Sequence, residues 1–278
     1  MDESRRGRIV LACTNALLIS QMDHWTEAFQ NLKQIPQASW RAYCDTVNQD
    51  LIARWWTCGK KERVLKTDLF EEAMGTGLCL RLHEYGEHVF GIDFSRKVAA
   101  EACARNRNLH GITADARRLP FTTGSFDGII STSTLDHFTN REELIQSIRE
   151  IARVLRPGGT LILTLDNPGN PLIWLRQILP FRLLHRYGVV PYYVGYTCNY
   201  RSFKKLLLSM GFLIVDATAI AHFPRLPAVV LARWADKRDS PKFRLRLGSV
   251  LSAFEAMAKW PSRFATGNYF AVKAVKES

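Results

Sequence analysis

Between residues 61 and 167 the apolar positions switch repeatedly between two rhythms. RVLKTDLF (63–70), HVFGIDFS (88–95), GITADA (111–116), FDGIIST (126–132) and GTLILTLDN (159–167) are short apolar runs rich in β-branched and aromatic residues, as buried strands require. GLCLRLHEYG (77–86), RKVAAEACARNRNL (96–109) and REELIQSIREIARVL (141–155) instead space their apolar residues three and four apart, which lines one face of a helix. Further on, SFKKLLLSMGF (202–212) reads as a helix, LIVDATAI (213–220) as a strand, about 226–260 as a basic helical stretch, and YFAVKAVK (269–276) as a last strand. The alternation predicts an α/β, Rossmann-like fold: seven strands, mostly parallel, with helices on both faces.

Two regions break the rhythm. Residues 22–56 carry aromatic and aliphatic residues at helical intervals, interrupted at Pro36, and predict two or three helices. The chain therefore divides into an N-terminal helical cap over 1–60 and an α/β domain over 61–278. From about 168 to 200 the alternation stops again, and NPGNPLIWLRQILPFRLLHRYGVVPYYVGYT (167–197) is apolar, aromatic and basic, with prolines at its corners. It reads as a lid inserted after the fifth strand.

At 278 residues and 47% hydrophobic, the chain can bury a large core. Its formal charge of +12 suits nucleic acid, anionic lipid or an acidic ligand, and basic residues crowd into 176–186, 201–205 and 233–246. The six cysteines, Cys13, Cys44, Cys58, Cys79, Cys103 and Cys198, form no C-x-x-C pair, so the expectation is reduced thiols, no metal site and a cytoplasmic protein. The start MDESRRGRIVLACTNALLIS imitates a signal peptide but contains Asn15 and lacks a small-x-small cleavage site, and reads better as an amphipathic helix or an extension. No stretch reaches the ~20 apolar residues of a membrane span.

In a doubly wound sheet, ligands bind beyond the carboxyl ends of the strands, so the residues there are the ones to weigh. Gly75 and Gly77 form a short glycine loop after the first strand, a weak signal by itself. Asp93 closes the second strand, where a carboxylate accepts hydrogen bonds from both hydroxyls of a ribose, and Asp115 follows the third, placed to accept from an exocyclic amine. Either aspartate would equally serve as a helix N-cap. After the helix ending at Leu155 and Arg156, Pro157, Gly158 and Gly159 turn the chain into the fifth strand.

Glycine loop, acid after the second strand, Asp115-Ala116 after the third, FDGIIS as the fourth and RVLRPGGTLIL into the fifth resemble the class I S-adenosylmethionine-dependent methyltransferases. The likeness is greatest to the small-molecule branch that includes the ubiquinone and menaquinone methyltransferases. It covers Val64 to Leu165, and more loosely 213–220 and 269–276. A dinucleotide oxidoreductase would share the loop and the ribose acid but not the RPGG turn.

The resemblance implies S-adenosylmethionine as cofactor. Glu71, Gly75 and Gly77 would approach its methionine and ribose portions, Asp93 the ribose hydroxyls, Phe94 the adenine face, Asp115 and Ala116 the adenine edge, and Ser131 or Thr132 the sulfonium. Asp136 and His137, after the fourth strand, match the acid and histidine associated with a divalent metal and the acceptor in the quinone O-methyltransferases. A further acid of that family is Ser133 here, so no metal is expected. A solvated or capping Asp136 beside a core-edge His137 is the structural alternative.

The lid mixes Trp174, Phe181, Tyr187, Tyr192, Tyr193 and Tyr196 with Arg176, Arg182 and Arg186. It suits a small hydrophobic acceptor, or shallow docking on the inner face of an anionic membrane; a lid core with solvated arginines is the plain alternative. Nucleic acid is disfavoured, since LDNPGNP follows the fifth strand and not the fourth, and no base-holding motif or appended RNA-binding module is found. The glycine loop departs from the family pattern. In one register Glu71 occupies the acid's position and Ala73 that of the first glycine; in the other, RVLKT is the strand and DLFEEAM an enlarged loop carrying Asp68, Glu71 and Glu72. Three functions remain open: methyl transfer to a quinone-like, lipid or natural-product acceptor, another reaction of the same cofactor such as amino transfer in rhodoquinone formation, and a non-catalytic partner protein.

Overall fold

A computed structural model describes residues 38–56, 59–186, 195–237 and 240–277. The expected helices before Pro36, Cys13, Cys58, and Tyr187, Tyr192 and Tyr193 of the lid lie outside the described residues.

Seven strands form one sheet: β1 (Lys61–Lys66), β2 (Gly86–Asp93), β3 (Leu109–Thr113), β4 (Phe126–Thr132), β5 (Leu155–Asp166), β6 (Phe212–Ile220) and β7 (Tyr269–Lys276), in the order β3-β2-β1-β4-β5-β7-β6. The pairings from β3 across to β5 are parallel, and β7 runs antiparallel to both β5 and β6. The order reverses between β1 and β4, and this switch point opens a crevice at the carboxyl ends of the strands.

Successive strand residues face opposite sides of the sheet, and each side has its own core. Val64, Ile130 and Ile162 face the helices α1 (Ala38–Trp55), α4 (Arg96–Arg105), α9 (Arg225–Lys237) and α10 (Pro241–Ala253). Their neighbours Leu65, Ile129, Leu161 and Leu163 face α5 (Arg141–Val154) and α8 (Tyr200–Ser209), where Leu144, Ile148, Ile151, Phe203 and Leu207 are fully buried. Trp40, Tyr43, Leu51 and Ile52 of α1 thus share one apolar core with the sheet. Polar ties hold the same helix: the Ser39 hydroxyl donates to Asp236 at 2.6 Å, Trp55 Nε1 to Asp216 at 2.9 Å, and the Tyr43 hydroxyl to Glu255.

The helix starts follow local chemistry. Ser95, Asn140 and Asn199 accept hydrogen bonds from backbone N–H groups three residues on and cap α4, α5 and α8. Asp93 is therefore not the cap of α4. Asn170, followed by Pro171, starts α6 (Pro171–Ile178) within the expected lid, and α7 (Phe181–Arg186) follows.

RVLKTDLF forms a strand only over its first part. β1 ends at Lys66, and the chain turns into a five-residue helix, α2 (Phe70–Met74), before Gly75 and the next helix, α3 (Cys79–Tyr85). The enlarged-loop register is the one adopted, so Glu71 does not close a strand: it sits in α2.

Candidate active site at the carboxyl ends of the strands

A buried lysine explains why the loop takes this path. Lys66, the last residue of β1, is 2% exposed, and an unpartnered ammonium there would be strongly unfavourable. Its Nζ donates to the Asp68 carbonyl at 2.8 Å and to Glu72 Oε2 at 3.0 Å, and lies 3.3 Å from Asp68 Oδ1. Glu72 Oε1 in turn accepts from Leu78 N at 3.0 Å, so a single side chain ties the end of β1 to the start of α3. Asp68 Oδ2 accepts from the Thr134 hydroxyl at 2.6 Å and bridges the crevice between β1 and β4.

The two glycines are required by the backbone. Gly75 ends α2 at φ +84°, and Gly77 stands at φ +82°, the left-handed region where a side chain is strained. A Cβ on Gly77 would also lie 2.7 Å from Glu72 Oε1. The Gly77 N–H donates to Asp45 Oδ2 at 3.0 Å, and its carbonyl accepts from Gln49 Nε2 at 2.9 Å. Asp45 and Gln49 are four apart on α1 and so share a face. Nothing in the helical periodicity of 38–55 singled these two out; the contact appears only once α1 is packed.

The other sequence-selected residues fall around this loop. Asp93 closes β2 and is 9% exposed; Oδ1 accepts from Ser95 N at 2.8 Å and Oδ2 from Leu69 N at 3.1 Å. Phe94 is half-buried beside it. Asp115 is gripped by the Arg117 guanidinium, at 2.7 Å to Oδ2, which also pairs with Glu143; Ala116 is buried with Leu119. Ser131 is fully buried, its hydroxyl accepting from Thr67 Oγ1 at 2.8 Å; Thr132 is half-buried.

Asp136 and His137 lie on a 3₁₀ turn, Leu135–His137. Asp136 is 2% exposed: Oδ2 accepts from Asp166 N at 3.0 Å, and Oδ1, which makes no hydrogen bond, lies 3.8 Å from His137 Nε2. The solvated or capping Asp136 is thereby excluded. Burial, with the charge of Asp166 and against that of His137, holds its carboxyl above the ordinary range. Asp166, at the end of β5, is itself buried and pairs with Arg176 of α6. Although its place in an apolar, basic segment suggests a solvated arginine, Arg176 is 9% exposed and works as the inward anchor of that helix.

Carboxylates outnumber cations around the loop. Asp45, Asp68, Glu71, Glu72 and Asp93 gather near the buried Lys66, with Arg41 near Asp45 and Glu71 and Arg105 beside Gly75. Burial pushes the Glu71 carboxyl up to about 7, helped by Asp45 and Glu72 and opposed by Arg41. Burial also pushes Asp93 up to about 7, against the N–H groups that hold it. A cationic ligand relieves such a site, and each Asp93 oxygen keeps lone-pair capacity for a hydroxyl donor. With the exposed, left-handed Gly75 beside these acids, the residues fit a nucleoside carrying a sulfonium and an ammonium. Among the described residues, no group of three or more His, Cys, Asp or Glu side chains is placed to hold a metal ion.

Comparison with known proteins agrees. Residues 70–163 match the methyltransferase domain family. Demethylmenaquinone methyltransferase from Beutenbergia cavernae is 39% identical over 102 residues, 36% of this chain and 39% of that protein. The probable tRNA methyltransferase 9B of Mus musculus is 38% identical over 89 residues, 32% of this chain and 19% of that protein. The chain thus spans well under two thirds of the length of these relatives. Among solved structures, Haemonchus contortus phosphoethanolamine N-methyltransferase 2 with S-adenosyl-L-methionine superposes with a TM-score of 0.55 at 20% identity, covering 83% of this chain and 52% of that one. Geranyl diphosphate C-methyltransferase from Streptomyces coelicolor superposes at 0.52 and 11% identity, covering 82% and 76%. At these identities the superpositions establish the fold.

Proposed function

We propose that the core of this chain is a class I, S-adenosylmethionine-dependent methyltransferase domain and that the protein methylates a small hydrophobic acceptor, quinone-like or lipid. The observation that carries the reading is the excess of carboxylates around Lys66 at the β1–β4 switch point, which suits a cationic donor. Bound there, S-adenosylmethionine supplies an electrophilic methyl group. Asp93 takes the ribose hydroxyls, Phe94 and the Asp115–Ala116 backbone the adenine, and Gly75 and Gly77 the methionine end, with Glu71 facing its ammonium. In-line displacement needs chiefly that donor and acceptor be held in register, with a base where the acceptor must lose a proton. His137 serves as that base. Asp136, buried behind it, stabilises the imidazolium without touching the acceptor.

The likeness to tRNA methyltransferases is confined to the shared domain and speaks for the donor, not the acceptor. One observation favours a second reading: the loop from Thr67 to Met74 is rebuilt around Lys66, which motivates another reaction of the same cofactor, such as amino transfer to a quinone. Calorimetric titration with S-adenosylmethionine tests both, with binding expected for the intact chain and a loss of at least about tenfold, or about 1.4 kcal/mol, in Asp93→Ala. No binding by the intact chain would remove both readings. With binding established, mass spectrometry of the product separates them: methyl transfer adds one CH₂ unit, whereas the other reaction exchanges methoxy for amino.

A further inference from the structure

Helix α6 has its polarity inverted. A helix on the surface of a water-soluble domain turns apolar side chains inward and cations outward. Here Arg176 is 9% exposed and faces in, with Ile173, while Leu172 is 47%, Trp174 53%, Leu175 44% and Ile178 56% exposed. The next helix, α7, continues the arrangement with exposed Leu183 beside exposed Arg182 and Arg186. No Asp or Glu occurs between Asp166 and Asp216, a stretch holding six lysines and arginines, of which Arg176 pairs with the Asp166 carboxylate.

We infer that α6 and α7 form a docking face for an anionic lipid bilayer, with Leu172, Trp174, Leu175, Ile178 and Leu183 entering the interface and Arg182 and Arg186 meeting lipid phosphates. Water-exposed apolar side chains flanked by cations, on a stretch of chain without acids, match the two attractions that hold a helix in a membrane interface. A polynucleotide would use the cations but leave four large apolar side chains of α6 uncovered, so lipid is the better partner. A spanning role is not involved: among the described residues, no helix is long and apolar enough to cross a membrane. The face adjoins the site directly, because α6 is anchored through Arg176 to Asp166, whose N–H donates to Asp136 beside His137. An acceptor dissolved in the bilayer would therefore reach the crevice from the docked side. This source of substrate rests on the methyltransferase reading; the docking face itself does not.

Co-sedimentation of the full chain with vesicles tests the inference. Vesicles of phosphatidylcholine containing about one third phosphatidylglycerol should carry the protein down, pure phosphatidylcholine at least about fivefold less, and about 0.5 M salt should weaken binding. Trp174→Ser/Ile178→Ser and, separately, Arg182→Glu/Arg186→Glu should each weaken it at least about fivefold while leaving the thermal midpoint unchanged. The inference is overturned if the intact chain stays in the supernatant, if both variants bind as the intact chain does, or if light scattering shows a dimer that Trp174→Ser/Ile178→Ser converts to a monomer, since a second copy would then cover the face. Titration with S-adenosylmethionine on the same samples reads the parent proposal independently. Vesicle binding without cofactor binding would remove methyl transfer and leave the docking face standing.

Discussion

Asp93 shows how a residue proposed to hold the donor can work against the fold that holds it. An aspartate ordinarily ionises near 3.8, and this one near 7. Between those values the folded chain keeps a proton that the unfolded chain has lost, so the contribution of Asp93 to stability falls as pH rises and levels off above about 7. Glu71, moved from 4.5 to about 7, acts in the same direction. The unliganded protein is therefore expected to lose thermal stability between about pH 5 and about pH 8 through these two groups, and S-adenosylmethionine to raise the midpoint more at the higher pH, as differential scanning fluorimetry would measure. Asp93→Asn should flatten that slope, raise the unliganded midpoint at about pH 8 and weaken cofactor binding together; a lower midpoint there would contradict the account. Gly77→Ala would put a methyl group in a left-handed residue and against Glu72, and should cost about 1–2 kcal/mol or more in urea denaturation.

At the scale of elements, the strand and helix rhythm was readable in the sequence because burial on both faces of a sheet leaves a period that no surface chemistry disguises. All seven expected strands form, and the sheet is mostly parallel. The loop after β1 was not readable in the same way. Two registers fitted its letters equally, and the choice lay in where a lysine found partners, a three-dimensional fact. Arg176 misled for a related reason, since an arginine in an apolar segment usually reaches for water and this one meets Asp166 inside. Arg176→Met would leave the Asp166 carboxylate buried without its cation and should cost about 3–5 kcal/mol, which Asp166→Leu in the same chain would largely restore in denaturant melts. For the clamp on the glycine loop, Asp45→Ala should speed hydrogen exchange at the Gly77 amide by about tenfold, or about 1.4 kcal/mol of local opening.

For the whole molecule, the sheet and its helices place the acids near Lys66 on one side of the switch point, and the Asp136–His137 turn with α6 on the other. The ends of β2, β3 and β4 were legible as a series, since each strand must stop where the sheet stops. The contribution of α1 was not, because a helix distant in sequence reached the loop through side chains that look like ordinary surface residues.

The Lys66 cluster also bears on how this loop can change over time. Lys66, Asp68 and Glu72 each satisfy another member of the set, the lysine and Glu72 fully buried and Asp68 half-buried at its edge. Replacing the lysine alone strands two acids, and replacing Glu72 alone strands part of the ammonium and the Leu78 amide. A single change at this loop therefore leaves at least one buried charge of the set short of a partner. The rebuilt segment is held as a unit, to be inherited or lost together.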